Sequence, residues 1–298
     1  MASLPFPYAG EVCALLAPLC WAVALILFRR TQLPPTSMNL FKNVVAAVLL
    51  CATMLVMNVG IPLDRSGQDW WNLAVSAVIG LAIADVLLLE SLHRIGAARL
   101  ALVDTAYAPM MVLLAWVFLG ERPGLGFALG AAAVVTGIAI ATVDLQRAVS
   151  RGDRFLGIGA LMAFGAIVGN GASVVLIKPI LEVSDLVEVT WCRLVIGILG
   201  QAVWTTLRAD WSKAMVAFRP SPSWRFLLPG SVMGTYLAML LWLGGFKWAD
   251  ASVAAVLNQL ATVYILVLAW GVLGERVAPR QILGGALAVV GAAIVVAV

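Results

Sequence analysis

Leu114-Ala115-Trp116-Val117-Phe118-Leu119-Gly120-Glu121-Arg122 returns 154 positions later as Leu268-Ala269-Trp270-Gly271-Val272-Leu273-Gly274-Glu275-Arg276, with seven of the nine residues identical. At the same offset Trp70 matches Trp224, Gly80 matches Gly234, Gly130 matches Gly284 and Gly137 matches Gly291. The chain is written twice. If each copy holds an odd number of membrane-crossing helices, the second copy lies upside down relative to the first.

Composition identifies the solvent as a bilayer. The chain is 63% hydrophobic and 11% charged with mean hydropathy +1.03, whereas roughly a quarter of the residues of a soluble domain are charged. Apolar runs about 20 residues long, rather than ~10-residue alternating strands, select helices over a barrel. The fold class is thus an all-α integral membrane protein. The spacing predicts ten transmembrane helices at 10–30, 36–57, 71–92, 97–119, 124–143, 155–177, 184–207, 225–246, 251–273 and 278–298. Five per copy makes the two repeats inverted. Met1 to Tyr8 carry no basic cluster and no small-residue cleavage site, so the first helix reads as a span rather than a removable signal.

The first repeat is expected at 1–146 and the second at 147–298, as halves of one membrane domain joined through the polar stretch 144–154. Residues 58–70, with Gly60, Pro62 and Gly67, read as a turn-rich loop. In 208–224, Trp211, Met215 and Phe218 recur at helical spacing beside Lys213 and Arg219, the pattern of a short interfacial helix or of an ordinary surface loop.

Several chemistries are disfavoured. Cys13, Cys20, Cys51 and Cys192 all fall inside predicted spans without paired spacing and read as buried apolar thiols. One histidine, His93, cannot form a multi-histidine metal site, and no phosphate-binding glycine loop with a lysine is present, so no cofactor is expected. The net charge of +4 is read from its placement rather than as a nucleic-acid footprint, and no nucleic-acid partner is expected. Thirteen Lys and Arg side chains fall at the loops after helices 1, 3, 5, 7 and 9, against four (Arg65, Arg122, Lys178 and Lys247) at the other face. The positive-inside rule makes the first face cytoplasmic and puts both chain ends outside a plasma membrane.

Ten helices in two five-helix halves, each ending its fourth helix in Leu-Gly-Glu-Arg before a glycine-rich fifth, resemble the EamA family of the drug/metabolite transporter superfamily. The resemblance covers nearly the whole chain. It implies a membrane transporter, commonly an exporter of amino acids or other small metabolites, with both ends in the cytoplasm. On that last point the charge count departs from the family.

The Glu-Arg pairs themselves read as structural. Gly120 and Gly274 suit a left-handed helix cap and Pro123 follows, giving a tight interhelical turn with its charges at the headgroups. Gly126/Gly130, Gly165/Gly169 and Gly230/Gly234 are pairs of small residues that let helices approach closely.

Charges within the spans are better candidates for chemistry, because a charge at depth needs a cavity or a partner. Lys42 and Arg193 match at a 151-residue offset, since Asn39-Leu40-Phe41-Lys42 parallels Thr190-Trp191-Cys192-Arg193. At 1.5 Å per residue Lys42 lies roughly 9 Å into its helix and Arg193 roughly 14 Å, near the midplane. Lys42 can snorkel to the interface, while Arg193 is too deep to do so easily.

Asp104, about 10 Å into helix 4, precedes Tyr107 and Pro109, and the proline frees the carbonyl of Thr105. Its repeat mate is Asn258, followed by Gln259 and Thr262, so polar residues recur at one depth in both halves. A plain ion pair from Asp104 to Lys42 or Arg193 is the structural alternative. Asp85 is similarly deep, whereas Glu90 is explained by a local pair with His93 or Arg94. Asn170, between Gly169 and Gly171, adds a polar group where the backbone is permissive.

Together these residues suggest a secondary transporter exporting a small metabolite through a central cavity at the repeat interface by alternating access. Deep cations beside deep carboxylates suit a zwitterion, with its carboxylate on Arg193 or Lys42 and its ammonium on Asp104 or Asp85. Tyr107, Tyr236, Trp191, Trp242 and Tyr264 offer apolar or cation-π surface, pointing to a bulky or aromatic amino acid. The alternatives are a proton-coupled exporter of cationic drugs using the carboxylates alone and, from another class, an intramembrane lipid-modifying enzyme or a membrane scaffold. The enzyme is opposed by the absence of a nucleophile and base pair, and the scaffold leaves the buried charges without purpose. The expected partners are a small-molecule substrate, the lipid bilayer and protons. The sequence leaves the oligomeric state open and is compatible with a functional monomer.

Overall fold

The structure is a computed structural model describing residues 7–31, 33–62, 64–88, 90–91, 94, 103–149, 156–273 and 278–298. The first repeat holds α1 (Ala9–Arg29), α2 (Pro35–Met57), α3 (Gly67–Ala77, continued by a π-helical stretch Val78–Ala84), α4 (Tyr107–Leu114, continued by Ala115–Leu119) and α5 (Leu125–Val149). The second holds α6 (Leu156–Val183), α7 (Leu186–Leu207), α8 (Trp224–Ser231, Val232–Leu237 and Ala238–Trp248), α9 (Ala251–Asn258 with Ala261–Leu273) and α10 (Pro279–Ala297). Among the described residues there is no strand. Eight of these helices are long and apolar enough to cross a membrane, and two shorter apolar helices, Tyr107–Leu119 and Leu125–Ala141, accompany them.

Their outer faces are oily. Leu55, Val56, Leu125 and Leu283 are each more than 60% exposed, which suits lipid rather than water. Small residues instead fill the contacts between helices. α5 and α10 run antiparallel so closely that a Cβ at Gly137 would lie 2.5 Å from the Gly284 carbonyl oxygen, and one at Gly291 2.6 Å from that of Gly130. Gly130 is the repeat mate of Gly284 and Gly137 that of Gly291, so the duplication exchanges these two contacts. Equivalent helices that pack antiparallel show the repeats to be inverted. The rest of the packing obeys the same operation: α1 lies on α8 as α6 lies on α3, while α2 pairs with α7 and α4 with α9 across the pseudo-twofold. Each repeat therefore buries its inner surface against the other.

Irregularities recur in register too. The π stretch Val78–Ala84 of α3 returns in α8 as Val232–Leu237, 154 residues on. α4 and α9 are both interrupted at one depth, by a turn at Thr105 and Ala106 and by another at Gln259 and Leu260. Pro109 accounts for the break in α4, but Val263 occupies the equivalent place in α9. A proline is therefore not the common cause.

Several expectations need correction. α3 begins at Gly67 rather than 71 because Ser66 caps it, its Oγ accepting from the Asp69 N–H at 3.1 Å. α7 begins at Leu186, where the Asp185 carboxylate accepts from the Val187 and Glu188 N–H groups at 2.8 and 3.2 Å. α5 stays helical to Val149, well into the expected linker, and α6 runs through Pro179 to Val183. Cys51 faces outward on α2 rather than being buried. The 208–224 segment forms a short helix Trp211–Ala214 and a 3-10 turn Val216–Phe218. It is pinned to α2 by the Ala217 N–H donating to Ser37 Oγ at 2.6 Å and by Phe218 against Phe41. Close packing at Gly230 and Gly234 against Phe28 and Ala24 agrees with the small-residue reading. His93, Arg99, residues 150–154 and the second Gly274-Glu275-Arg276 lie outside the described residues.

Candidate functional site

The geometry centres on Arg193. It lies eight residues past the cap of α7 at Asp185 and is 2% exposed. Nη2 donates to Ser173 Oγ of α6 at 3.2 Å, while Nε and Nη1 have no protein partner. Ser173 is fixed in turn: its carbonyl accepts from Ser76 Oγ at 2.7 Å and its hydroxyl donates to the Asn170 carbonyl at 2.9 Å. Opposite stands Gly80, within the π stretch of α3, where a Cβ would come within 2.5 Å of Ser173 Oγ and 3.3 Å of Arg193 Nη2. Only glycine at 80 leaves this space. The extra backbone residue of a π turn changes which side chains face inward beyond it, and beyond this one lies Asp85.

Asp85 is within electrostatic reach of both Lys42 and Arg193, and Arg193 within reach of Tyr107. Tyr107 in turn neighbours Asp104 and Trp242. Lys42 has one long contact, to Asn43 Oδ1 at 3.4 Å. The fold thus gathers Lys42, Asp85, Asp104, Tyr107, Asn170 and Arg193 from α2, α3, the start of α4, α6 and α7. The Tyr107 hydroxyl and Asn170 Oδ1 are also buried and unpartnered, as are Thr235 Oγ1 and Asn258 Nδ2. Orphaned polar atoms at membrane depth call for a polar occupant, since each costs roughly 1–3 kcal/mol left unsatisfied.

Asp104 differs from expectation. Among the described residues it makes no ion pair with Lys42 or Arg193, and its side chain is exposed. What is held is its backbone, whose carbonyl accepts from Gln259 Nε2 at 2.9 Å. That bond joins the two helix interruptions, one from each repeat. Tyr236 pairs with Thr53 at 2.7 Å in the α2–α8 contact, and Trp191 packs among core residues on α7. Tyr264 is half-buried against the same main core. Glu90 donates nothing to the site: it accepts from Arg94 Nη2 at 2.9 Å, as the local pairing required.

Charges read as headgroup residues form the principal surprise. Gly120 has the expected left-handed conformation at φ 71°, but Glu121 turns inward to cap α9. Its carboxylate accepts from the Ala251 N–H at 2.7 Å, the Ser252 N–H at 3.0 Å and Ser252 Oγ at 2.6 Å. The free N–H groups at a helix start attract a carboxylate, which explains the correction. Beside it, burial and then the Glu121 carboxylate push the Asp250 carboxyl above the ordinary aspartate range. Arg65 is also buried, in a two-pronged pair with Glu188 at 3.0 and 2.8 Å. An acidic residue in the first turn of an expected helix, Glu188, was the available signal for that partner.

Duplication, inversion, oily outer faces and a buried polar cluster between the halves define a multi-pass membrane protein built from inverted repeats. The chain belongs to the EamA-like transporter family, whose family model matches residues 8–143 and 157–297, and so to the drug/metabolite transporter superfamily. No functionally curated protein matches it. A solved structure titled only "Crystal structure of protein" superposes with a TM-score of 0.80 at 18% identity, covering 96% of this chain and 95% of that one. At that identity the likeness speaks for the fold.

Proposed function

We propose that the chain is a ten-span secondary transporter exporting a small zwitterionic metabolite, an amino acid in the first instance, through a pathway at the repeat interface. The observation that carries this reading is Arg193, fully buried yet with two guanidinium nitrogens unpartnered. An arginine at such depth is retained at a cost of several kcal/mol unless something satisfies it. A substrate carboxylate would do so. Asp85 lies within electrostatic reach of Lys42 and Arg193, and Tyr107 within reach of both Arg193 and Asp104. Two basic and two acidic side chains gathered in this way complement a zwitterion. Tyr107 and Trp242 add aromatic surface for a bulky side chain. Alternating access follows from two inverted halves sharing one site. The charge bias puts the loops after α1, α3, α5, α7 and α9 in the cytoplasm and both ends outside the plasma membrane.

The test is uptake by liposomes holding the purified protein, with a panel of the standard amino acids and their carboxamides. Arg193→Gln should reduce uptake of the carboxylate form by about tenfold or more, the worth of one charge-assisted hydrogen bond, and affect the carboxamide far less. Equal losses for both would make Arg193 a structural cation. Uptake of carboxamides alone, abolished by Asp104→Asn, would establish instead an exporter of cations.

A further inference from the structure

Four contacts crowd the end of the molecule that bears the loops after α2, α4, α6 and α8, and they join into one chain. Glu121, just past α4, caps the start of α9 at Ala251 and Ser252. Two residues before that cap, the Ala249 carbonyl accepts from Lys178 Nζ of α6 at 2.9 Å, as does the Phe246 carbonyl. Lys178 also pairs with Glu182 at 3.0 Å. Lys247 of α8 returns the contact, its Nζ donating to the Leu181 and Ser184 carbonyls at the end of α6. Ser184 Oγ accepts from Arg65 Nη2 at 2.9 Å, and Arg65 closes the chain on Glu188 of α7.

The reciprocal lysines are the informative part. Each ammonium sits on the last-turn carbonyls of the other helix, where unsatisfied backbone groups and the negative end of the helix dipole favour a cation. Lys178 and Lys247 are 7% and 8% exposed. All of these contacts are side chain to helix end or ion pair, and each partner can be hydrated once separated. None is an interlocked glycine seam like that between α5 and α10. The contacts can therefore part without breaking a helix.

Two of the four contacts are not repeated at the opposite end. Arg219 is the repeat mate of Arg65, but Glu188 is matched at the 151-residue offset by Ser37, whose hydroxyl accepts the Ala217 N–H. Neither Ala24 nor Leu27, which precede Lys178 by 154 and 151 residues, carries a charge. The duplication is thus broken at Glu188 and Lys178, while Glu275 and His93, the mates of Glu121 and Lys247, lie outside the described residues.

We infer that Arg65–Glu188, the reciprocal Lys178 and Lys247 caps and the Glu121 cap form a latch, which holds this end of the transport pathway shut and parts when it opens. The inference rests on the transporter reading, but its test needs no substrate. Cys192 supplies a reporter: it is 4% exposed one turn beneath Glu188, and its Sγ donates to Glu188 Oε1 at 3.2 Å. In the full chain with Cys13, Cys20 and Cys51 replaced by serine, a charged maleimide should label Cys192 slowly in detergent. Lys247→Met and, separately, Arg65→Gln should each speed labelling by about tenfold, the equilibrium worth of one charge-assisted bond. Lys178→Arg, which keeps the donor and charge, should leave it slow. Unchanged labelling in folded, monodisperse variants would make these contacts static struts and overturn the latch. So would loss of folded protein in both Lys247→Met and Arg65→Gln, since contacts the fold requires are not ones that part. Faster labelling together with failed amino-acid uptake by the parent protein would keep the latch and reject only the substrate assignment.

Discussion

Glu121→Ala tests how the repeated motif works. The substitution leaves two backbone N–H groups at the start of α9 and the Ser252 hydroxyl without their shared acceptor. Loss of a helix cap costs about 1 kcal/mol. Removing a carboxylate from the positive end of a helix costs about 0.5 kcal/mol more, and the charge-assisted bond from Ser252 about 1.5 kcal/mol. The sum, about 3 kcal/mol, corresponds to a fall in Tm of roughly 6–12 °C at the 2–4 °C per kcal/mol of larger domains. Thermal unfolding in a mild detergent, followed by tryptophan fluorescence, measures it. Glu121→Gln retains one carbonyl acceptor and should fall about half as far. A Glu121→Ala protein melting within about 1 °C of the parent would show that water replaces the carboxylate at no cost, and the motif would revert to a simple turn.

Three further outcomes are expected. Because the Asp250 carboxyl titrates above the ordinary aspartate range in the folded protein, its ionisation opposes folding: that stability is present at low pH and is lost as pH rises through the folded value. Asp250→Asn should therefore raise Tm at pH 7, and the difference should vanish below about pH 4; a difference independent of pH would refute the cause given. Gly137→Leu should prevent recovery of monodisperse protein, since even a Cβ would meet the Gly284 carbonyl at 2.5 Å, whereas Gly271→Ala, with open space around it, should be tolerated; size-exclusion profiles compare them. Single cysteines at Asp64 and at Arg208, in a background without the native thiols, should react with an impermeant reagent on intact cells at Asp64 only, and the reverse pattern would restore the family's usual orientation.

The duplication was legible because both halves still spell Leu-Gly-Glu-Arg, and the inversion because five is odd. Helix contacts at Gly130, Gly137 and their mates could be read because close approach of backbones demands the smallest residue. Lys42 and Arg193 stood out as charges in apolar runs. Their meeting with Asp85 did not, because it depends on which way α3 turns after a π stretch, and no residue in Val78–Ala84 announces one. The break in α9 was equally silent, lacking the proline that marked α4. Lys178 and Lys247 entered only the count of cations at one membrane face: near a span end, one-dimensional spacing cannot separate a lysine reaching for lipid phosphate from one reaching for the carbonyls of a neighbouring helix.

Stiffness is distributed unevenly around the cluster, and the distribution follows from the duplication. α5 and α10 meet backbone to backbone through glycines, so neither can slide without a clash, and they form a fixed seam. The π stretches of α3 and α8 and the breaks in α4 and α9 are places where the i to i+4 ladder is already interrupted, so bending there sacrifices no regular hydrogen bond. These four helices include those that bring Asp85, Asp104 and Tyr107 to the cluster, and they also end at the latch, α4 through Glu121 and α8 through Lys247. The Gln259 bond to the Asp104 carbonyl ties the breaks in α4 and α9 to one another, so a bend in one is felt by the other. A change at the charged cluster therefore has a continuous route to the latched end that avoids the rigid seam, through α3 and α4, which carry Asp85, Asp104 and Tyr107 and are also free to bend.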